Sequence, residues 1–177
     1  MSRSHDELVE WVAQRSLHGG ADEIPLPGAP GRLWLAGKHL VGPDPEAALA
    51  ALDADRIVCL CELSELEDRY PAYAAWLRAG PVLHRPIADL HAPDRASAEA
   101  LVAELGALLD DGEVLVLHCG AGIGRAGTVA VALLLSRGAA LEDALATVRT
   151  ARPMAGPERG VQLELLEALA AASAHSA

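Results

Sequence analysis

A single α/β domain is predicted, with a central, mostly parallel sheet flanked by helices on both faces, and three observations predict it. The chain has 177 residues, and at roughly 100–200 residues per domain this is the length of one core. Short apolar runs alternate along it with longer segments of helical periodicity. One run, Val114-Leu115-Val116-Leu117, sets four apolar residues in succession, as a strand covered on both faces requires.

The elements follow in order. Ser4 to Glu7 have capping-box spacing, and Leu8, Val9, Trp11 and Val12 continue with helical period. Residues 5–17 are therefore predicted to form an amphipathic helix that docks its apolar stripe on the domain or on a partner. Repeated Gly and Pro make 18–31 a loop, so that 1–30 form an N-terminal helix and lead-in loop and 31–173 the main domain. Arg32 to Ala36 alternate as a strand. Asp44-Pro45-Glu46 cap and open a helix running through Leu52, and Arg56 to Cys61 form a buried strand. Tyr70 to Ala79 are helical, Val82 to His84 a short strand, Ser97 to Leu109 a helix before the Val114 strand. Helices over 125–137, stopped by Gly138, over 141–150 and over 157–172 complete the chain.

Apolar residues make up 51% and charged residues 22%, the balance of a soluble globular protein. The formal charge of -11 argues against nucleic acid or an anionic membrane as partner, because both need clustered Lys and Arg. No apolar stretch reaches membrane-spanning length and the polar start lacks a signal peptide's apolar segment, so a cytoplasmic location is expected. The three cysteines, two of them in Cys59-Leu60-Cys61, make neither a disulfide framework nor a four-ligand zinc pattern. No metal and no cofactor is expected; a reactive thiol is the better use.

That thiol is Cys119. It follows the Val114 strand and opens the loop Gly120-Ala121-Gly122-Ile123-Gly124 before Arg125 and an apolar helix. Three glycines in five positions let the backbone turn tightly and aim successive N–H groups inward as an anion-binding nest, to which the helix adds its positive end. The same field favours the thiolate of Cys119. Arg125 can fold back as a planar fork donating to two oxygens of one phosphate. A plain glycine-rich turn, or a nucleotide-binding loop with an incidental cysteine, is the alternative. The stretch lacks the Gly-Lys-Ser/Thr ending of the latter.

His118-Cys119, five residues and Arg125 resemble the signature of the protein tyrosine phosphatase superfamily. The small size and the Gly31-Arg32-Leu33-Trp34-Leu35-Ala36-Gly37 opening resemble its dual-specificity branch, over roughly residues 30–170. The resemblance extends to Cys61–Leu66, to Pro86–Asp94 and to Val161-Gln162. It implies a cysteine phosphatase fold and a phosphocysteine mechanism, with Cys119 as nucleophile, Arg125 and the loop from Gly120 to Gly124 as phosphate holders, and a phosphorylated protein or peptide as substrate. A general acid on an upstream loop is also implied: Asp89, with Asp94 as rival, though Pro93-Asp94 looks more like a helix start. His118 would support the loop, Gln162 would position the water that attacks phosphocysteine, and Cys61 would form a protective disulfide with Cys119 or serve as a buried hydrophobe.

The chain departs from the family at Ala126, where Ser or Thr usually hydrogen-bonds the departing sulfur. Thr128, two residues on, does not face the sulfur by spacing alone. Slow hydrolysis of the phosphocysteine is the expectation. Uncharged residues between Cys119 and Arg125 disfavour polyanionic substrates. The lack of a phosphotyrosine-recognition segment before residue 30 suits phosphoserine and phosphothreonine beside phosphotyrosine. A phosphosite reader without turnover, and a sulfurtransferase or arsenate reductase, are the competing readings.

Overall fold

The computed structural model describes residues 19–175, so the helix expected over 5–17 lies outside the described residues. A five-stranded sheet runs in the order β1-β2-β5-β3-β4, built from β1 (Ala21–Ile24), β2 (Arg32–Gly37), β3 (Arg56–Cys59), β4 (Val82–His84) and β5 (Val114–Cys119). The last four are mutually parallel, and β1 pairs antiparallel with β2 at the edge. The helices are α1 (Lys38–Val41), α2 (Pro45–Ala51), α3 (Pro71–Trp76), α4 (Arg95–Asp110), α5 (Gly124–Ser136), α6 (Leu141–Ala151) and α7 (Gly160–His175), with a 3-10 turn at Leu63–Glu65. Among the described residues no helix is long and apolar enough to cross a membrane.

Strand alternation divides the core in two. Leu33, Leu35, Val58, Leu60, Leu115 and Leu117 turn to one face and pack with residues of α4, α5, α6 and α7. Ala36, Ile57, Cys59 and Val116 turn to the other and meet Val41 of α1, Leu49 of α2 and Tyr73 of α3. Strand β5 is sandwiched between β2 and β3, which explains its unbroken apolar run. The register pairs Gly37 with Cys119 and Cys59 with His118, so the carboxyl ends of β2, β5 and β3 meet at one edge. Open parallel sheets bind ligands at that edge.

Strand β1 lies within the stretch read from sequence as a loop. It has one fully apolar inward residue, Ile24, and its other buried position is Asp22, whose partner no local pattern reveals. Helix α7 starts at Gly160 and β3 ends at Cys59, inside their expected limits. Helix α4 starts at Arg95 because the Asp94 side chain accepts from Ser97 N at 3.0 Å and from Ser97 Oγ at 2.7 Å, an N-cap that satisfies an orphan helix donor.

Candidate active site

The loop between β5 and α5 is held from outside by its carbonyls. Gly120 O accepts from Lys38 N at 3.0 Å, Ala121 O from Arg152 Nη2 at 2.8 Å, and Gly122 O from Arg152 Nε at 2.8 Å. Ile123 O accepts from Gly127 N at 2.9 Å and from Gly156 N at 3.2 Å. In a trans peptide C=O and N–H point opposite ways, so carbonyls drawn outward turn the intervening N–H groups to the inner side. Gly122 has φ 72, and a Cβ there would run into the Ala36 carbonyl; only glycine suits that turn.

Arg125 is 3% exposed. Its fork is taken up by Glu65: Nη1 donates to Oε1 at 2.6 Å and Nη2 to Oε2 at 2.8 Å. Nη1 also reaches the Ile87 carbonyl at 2.8 Å, and Nη2 lies 3.0 Å from Asp89 Oδ1. A Cβ on Gly120 would sit 3.4 Å from Nη2, so the guanidinium lies against the loop. Burial opposes its charge, but the Glu65 hydrogen bonds and the neighbouring Cys119 hold its pKa above the ordinary arginine value. Burial likewise works against the Glu65 charge, and the Arg125 hydrogen bond prevails, leaving that carboxyl below its usual range. Glu65 is oriented by its own turn, since Oε1 also accepts from Glu62 N at 2.9 Å, and its carbonyl accepts from Lys38 Nζ at 3.1 Å.

Asp89 keeps 65% of its side chain exposed beside Arg125, whereas Asp94 is engaged as the α4 cap. The Asp89 loop is tied down by His91, whose Nδ1 lies 2.7 Å from Asp89 O. Gln162 is fully buried and both ends of its amide are used. Oε1 accepts from Glu158 N at 2.7 Å and Nε2 donates to His91 O at 3.1 Å, which joins the start of α7 to the Asp89 loop. His118, with no exposed surface, meets Tyr73 Oη at 2.6 Å through Nε2. Ala126 is fully buried, and Thr128 Oγ1 is buried without a hydrogen-bond partner.

Cys61 packs with Cys59 in the core on the α1–α3 face, while Cys119 belongs to the opposite cluster. Cys59, Cys61 and His118 offer ligand atoms within 4.8 Å of one another, a grouping that sequence spacing did not suggest. A hydrogen bond to Cys59 pushes the Cys61 thiol up.

Sequence reasoning passed over three contributors. Glu65 looked like one acid in an acidic segment, and its Glu62–Glu65 box was the available signal. Lys38 is the chain's one lysine, which is itself a signal. Arg152 is 1% exposed and bonds Asp22 Oδ2 at 2.7 Å as well as the two loop carbonyls. A buried arginine 130 residues from its partner leaves no local trace.

Residues 30–176 match the protein-family model described as Swiss Army Knife protein, DSP-PTPase phosphatase domain. Among solved structures the chain is 34% identical to Tk-PTP in its active form, over 83% of this chain and 99% of that one, with a TM-score of 0.67. Its fold is also that of a kinase-associated phosphatase whose catalytic cysteine is replaced by serine, at 23% identity, 88% and 96% coverage and a TM-score of 0.72. No curated protein sequence matches the chain. The match over residues 30–176, which hold β2 to β5 and the loop after Cys119, makes this chain a member of the dual-specificity protein tyrosine phosphatase family.

Proposed function

We propose that the protein hydrolyses phosphomonoesters on phosphotyrosine, and on phosphoserine and phosphothreonine, in proteins or peptides, through a phosphocysteine on Cys119. The observation that carries this reading is the Arg125 guanidinium, clamped by Glu65 against the loop and 3.0 Å from Asp89. The Cys119 thiolate attacks phosphorus while the loop amides, with the Arg125 Nη2–H that Asp89 now occupies and would yield to substrate, hold the equatorial oxygens and meet the charge that develops there. Asp89, open to solvent on one side, gives its proton to the leaving oxygen and then takes one from the water that cleaves phosphocysteine. Gln162, expected to position that water, instead has both ends of its buried amide engaged by Glu158 N and His91 O in this structure, so it holds the Asp89 loop in place. The catalytic unit takes in β1 through Asp22 and Arg152. Its three unpaired thiols suit the reducing cytoplasm.

Phosphate release from a mixed phosphopeptide panel, with Cys119→Ser as control, tests the proposal. Release that vanishes in the variant is expected; release that survives it would refute the nucleophile. A second reading, a phosphosite reader without turnover, draws on the buried Ala126, which offers no hydroxyl to the departing sulfur. It predicts phosphopeptide affinity with no release at all.

A further inference from the structure

The large apolar side chains left exposed among the described residues are Leu90 at 38%, Met154 at 78%, Val161 at 46% and Leu163 at 37%. Three of them stand on segments bonded directly to the site. Leu90 follows Asp89, whose carboxylate meets Arg125. Met154 stands between Arg152, which bonds the Ala121 and Gly122 carbonyls, and Gly156, which donates to Ile123 O. Val161 precedes Gln162, the residue joining the α7 start to the Asp89 loop. Leu163 lies two residues farther along α7.

Two of the three have backbones that side chains with a Cβ disfavour: Leu90 has φ 61 and Met154 has φ 69. Glycine or asparagine would relieve the turn and a polar side chain would meet solvent better. Exposed apolar groups held in disfavoured conformations on segments bonded to a site are a mark of a contact surface. The charges between them oppose one another, Glu158 beside Arg159, and the Glu158 side chain covers Gly124, so that a Cβ there would run into its carboxylate. An acidic flank on a substrate would meet the Glu158 carboxylate there, the neighbouring Asp89 carboxyl being paired with Arg125.

We infer that Leu90, Met154 and Val161 form an apolar collar that receives the residues next to the phosphorylated one, selecting phosphopeptides with apolar neighbours over those with acidic neighbours. The inference rests on the phosphatase reading above and names its substrate class. An apolar side chain set in a fitted recess raises kcat/KM by about tenfold or more, whereas a small aryl phosphate reaches the loop without touching the collar.

The test compares kcat/KM for otherwise identical phosphotyrosine peptides with Leu, Ser or Asp on both sides, in the wild type and in Met154→Asn/Val161→Ser; asparagine tolerates the positive φ of residue 154. Leu-flanked peptide is expected to exceed Ser-flanked by about tenfold, with Asp-flanked lowest. The double variant is expected to bring Leu and Ser within about twofold while p-nitrophenyl phosphate turnover and the melting temperature hold. Equal rates for the three peptides beside sound aryl phosphate turnover would overturn the collar. So would a Leu preference that survives the double variant, or a short-chain lipid phosphate that outruns every peptide and slows in the variant. Loss of the phosphatase reading looks different: no p-nitrophenyl phosphate turnover that disappears in Cys119→Ser.

Discussion

Two buried arginines border the loop after β5, and they use the same guanidinium chemistry for different ends. Arg125 is 3% exposed and Arg152 is 1% exposed. Each has a carboxylate partner, Glu65 for one and Asp22 for the other. Arg152 also donates to backbone carbonyls, among them Ala121 and Gly122 of the loop at 2.8 Å each and Gly19 and Gly20 at 3.2 and 3.3 Å, so its guanidinium sets the shape of the loop. Arg125 lies against Gly120 and beside the exposed Asp89, and in the proposed reaction its charge serves the bound phosphate. Glu65 keeps 18% of its side chain exposed and Asp22 only 2%. Losing the arginine therefore takes a counter-charge from a carboxylate that still reaches water in one case and from one enclosed in the core in the other.

The sharpest break in this comparison comes from Arg125→Ala. Turnover of phosphotyrosine peptides is expected to fall about a thousandfold, the scale of losing a main transition-state donor, while thermal unfolding shifts little. Arg152→Ala is expected to do the reverse first, destabilising the fold by about 3–5 kcal/mol because the buried Asp22 carboxylate loses the guanidinium that bonds it. The double variant Asp22→Ala/Arg152→Ala should regain part of that stability yet stay slow, since the Ala121 and Gly122 carbonyls have lost their anchor. A double variant with wild-type kcat would show that Arg152 is structural alone.

Ala126→Ser restores a hydroxyl at a fully buried position beside the site. Wild type is expected to give a burst of product followed by slow turnover, and the substitution to raise the steady rate about tenfold without changing the burst. An unchanged steady rate, seen by stopped-flow, would show that Ala126 does not limit the second step.

The smallest effect is pH-dependent. The Glu65 carboxyl is held below its usual value by Arg125. Its folded-state affinity for a proton is thus lower than in the unfolded chain, so the stability it contributes is present above the ordinary carboxylate pKa of about 4.3. That contribution disappears as pH falls through the lower folded value. Calorimetry should find wild type more stable than Glu65→Gln near neutrality and the gap closing below about pH 4. A gap that widens on acidification would contradict the pairing.

How legible each arginine was follows from the distances along the chain. The Cys119 to Arg125 spacing, the glycines between them and the four-residue apolar run before them are all local, and they carried the fold class and the loop. The place of Asp89 beside Arg125 was foreshadowed by its position after a strand, and Asp94 declares itself a cap through Ser97, three residues on. Arg152 was not legible. Its partners, Asp22 and the loop carbonyls, lie 130, 31 and 30 residues away, and backbone acceptors have no sequence signature. Strand β1 was hidden for the same reason: one of its two buried residues is an aspartate that makes sense only once Arg152 is beside it. Glu65 was half-visible, as a turn with a capping box whose side chain goes on to Arg125.

The central claim is that the loop presents the Cys119 sulfur to a bound phosphate. Acid-quenching the enzyme during turnover of a phosphotyrosine peptide and mapping its peptides by mass tests it most directly. One phosphoryl group on the peptide holding Cys119, absent from Cys119→Ser, is the predicted result. Sustained phosphate release with no phosphoryl group on that peptide, or with the serine variant still active, would contradict it.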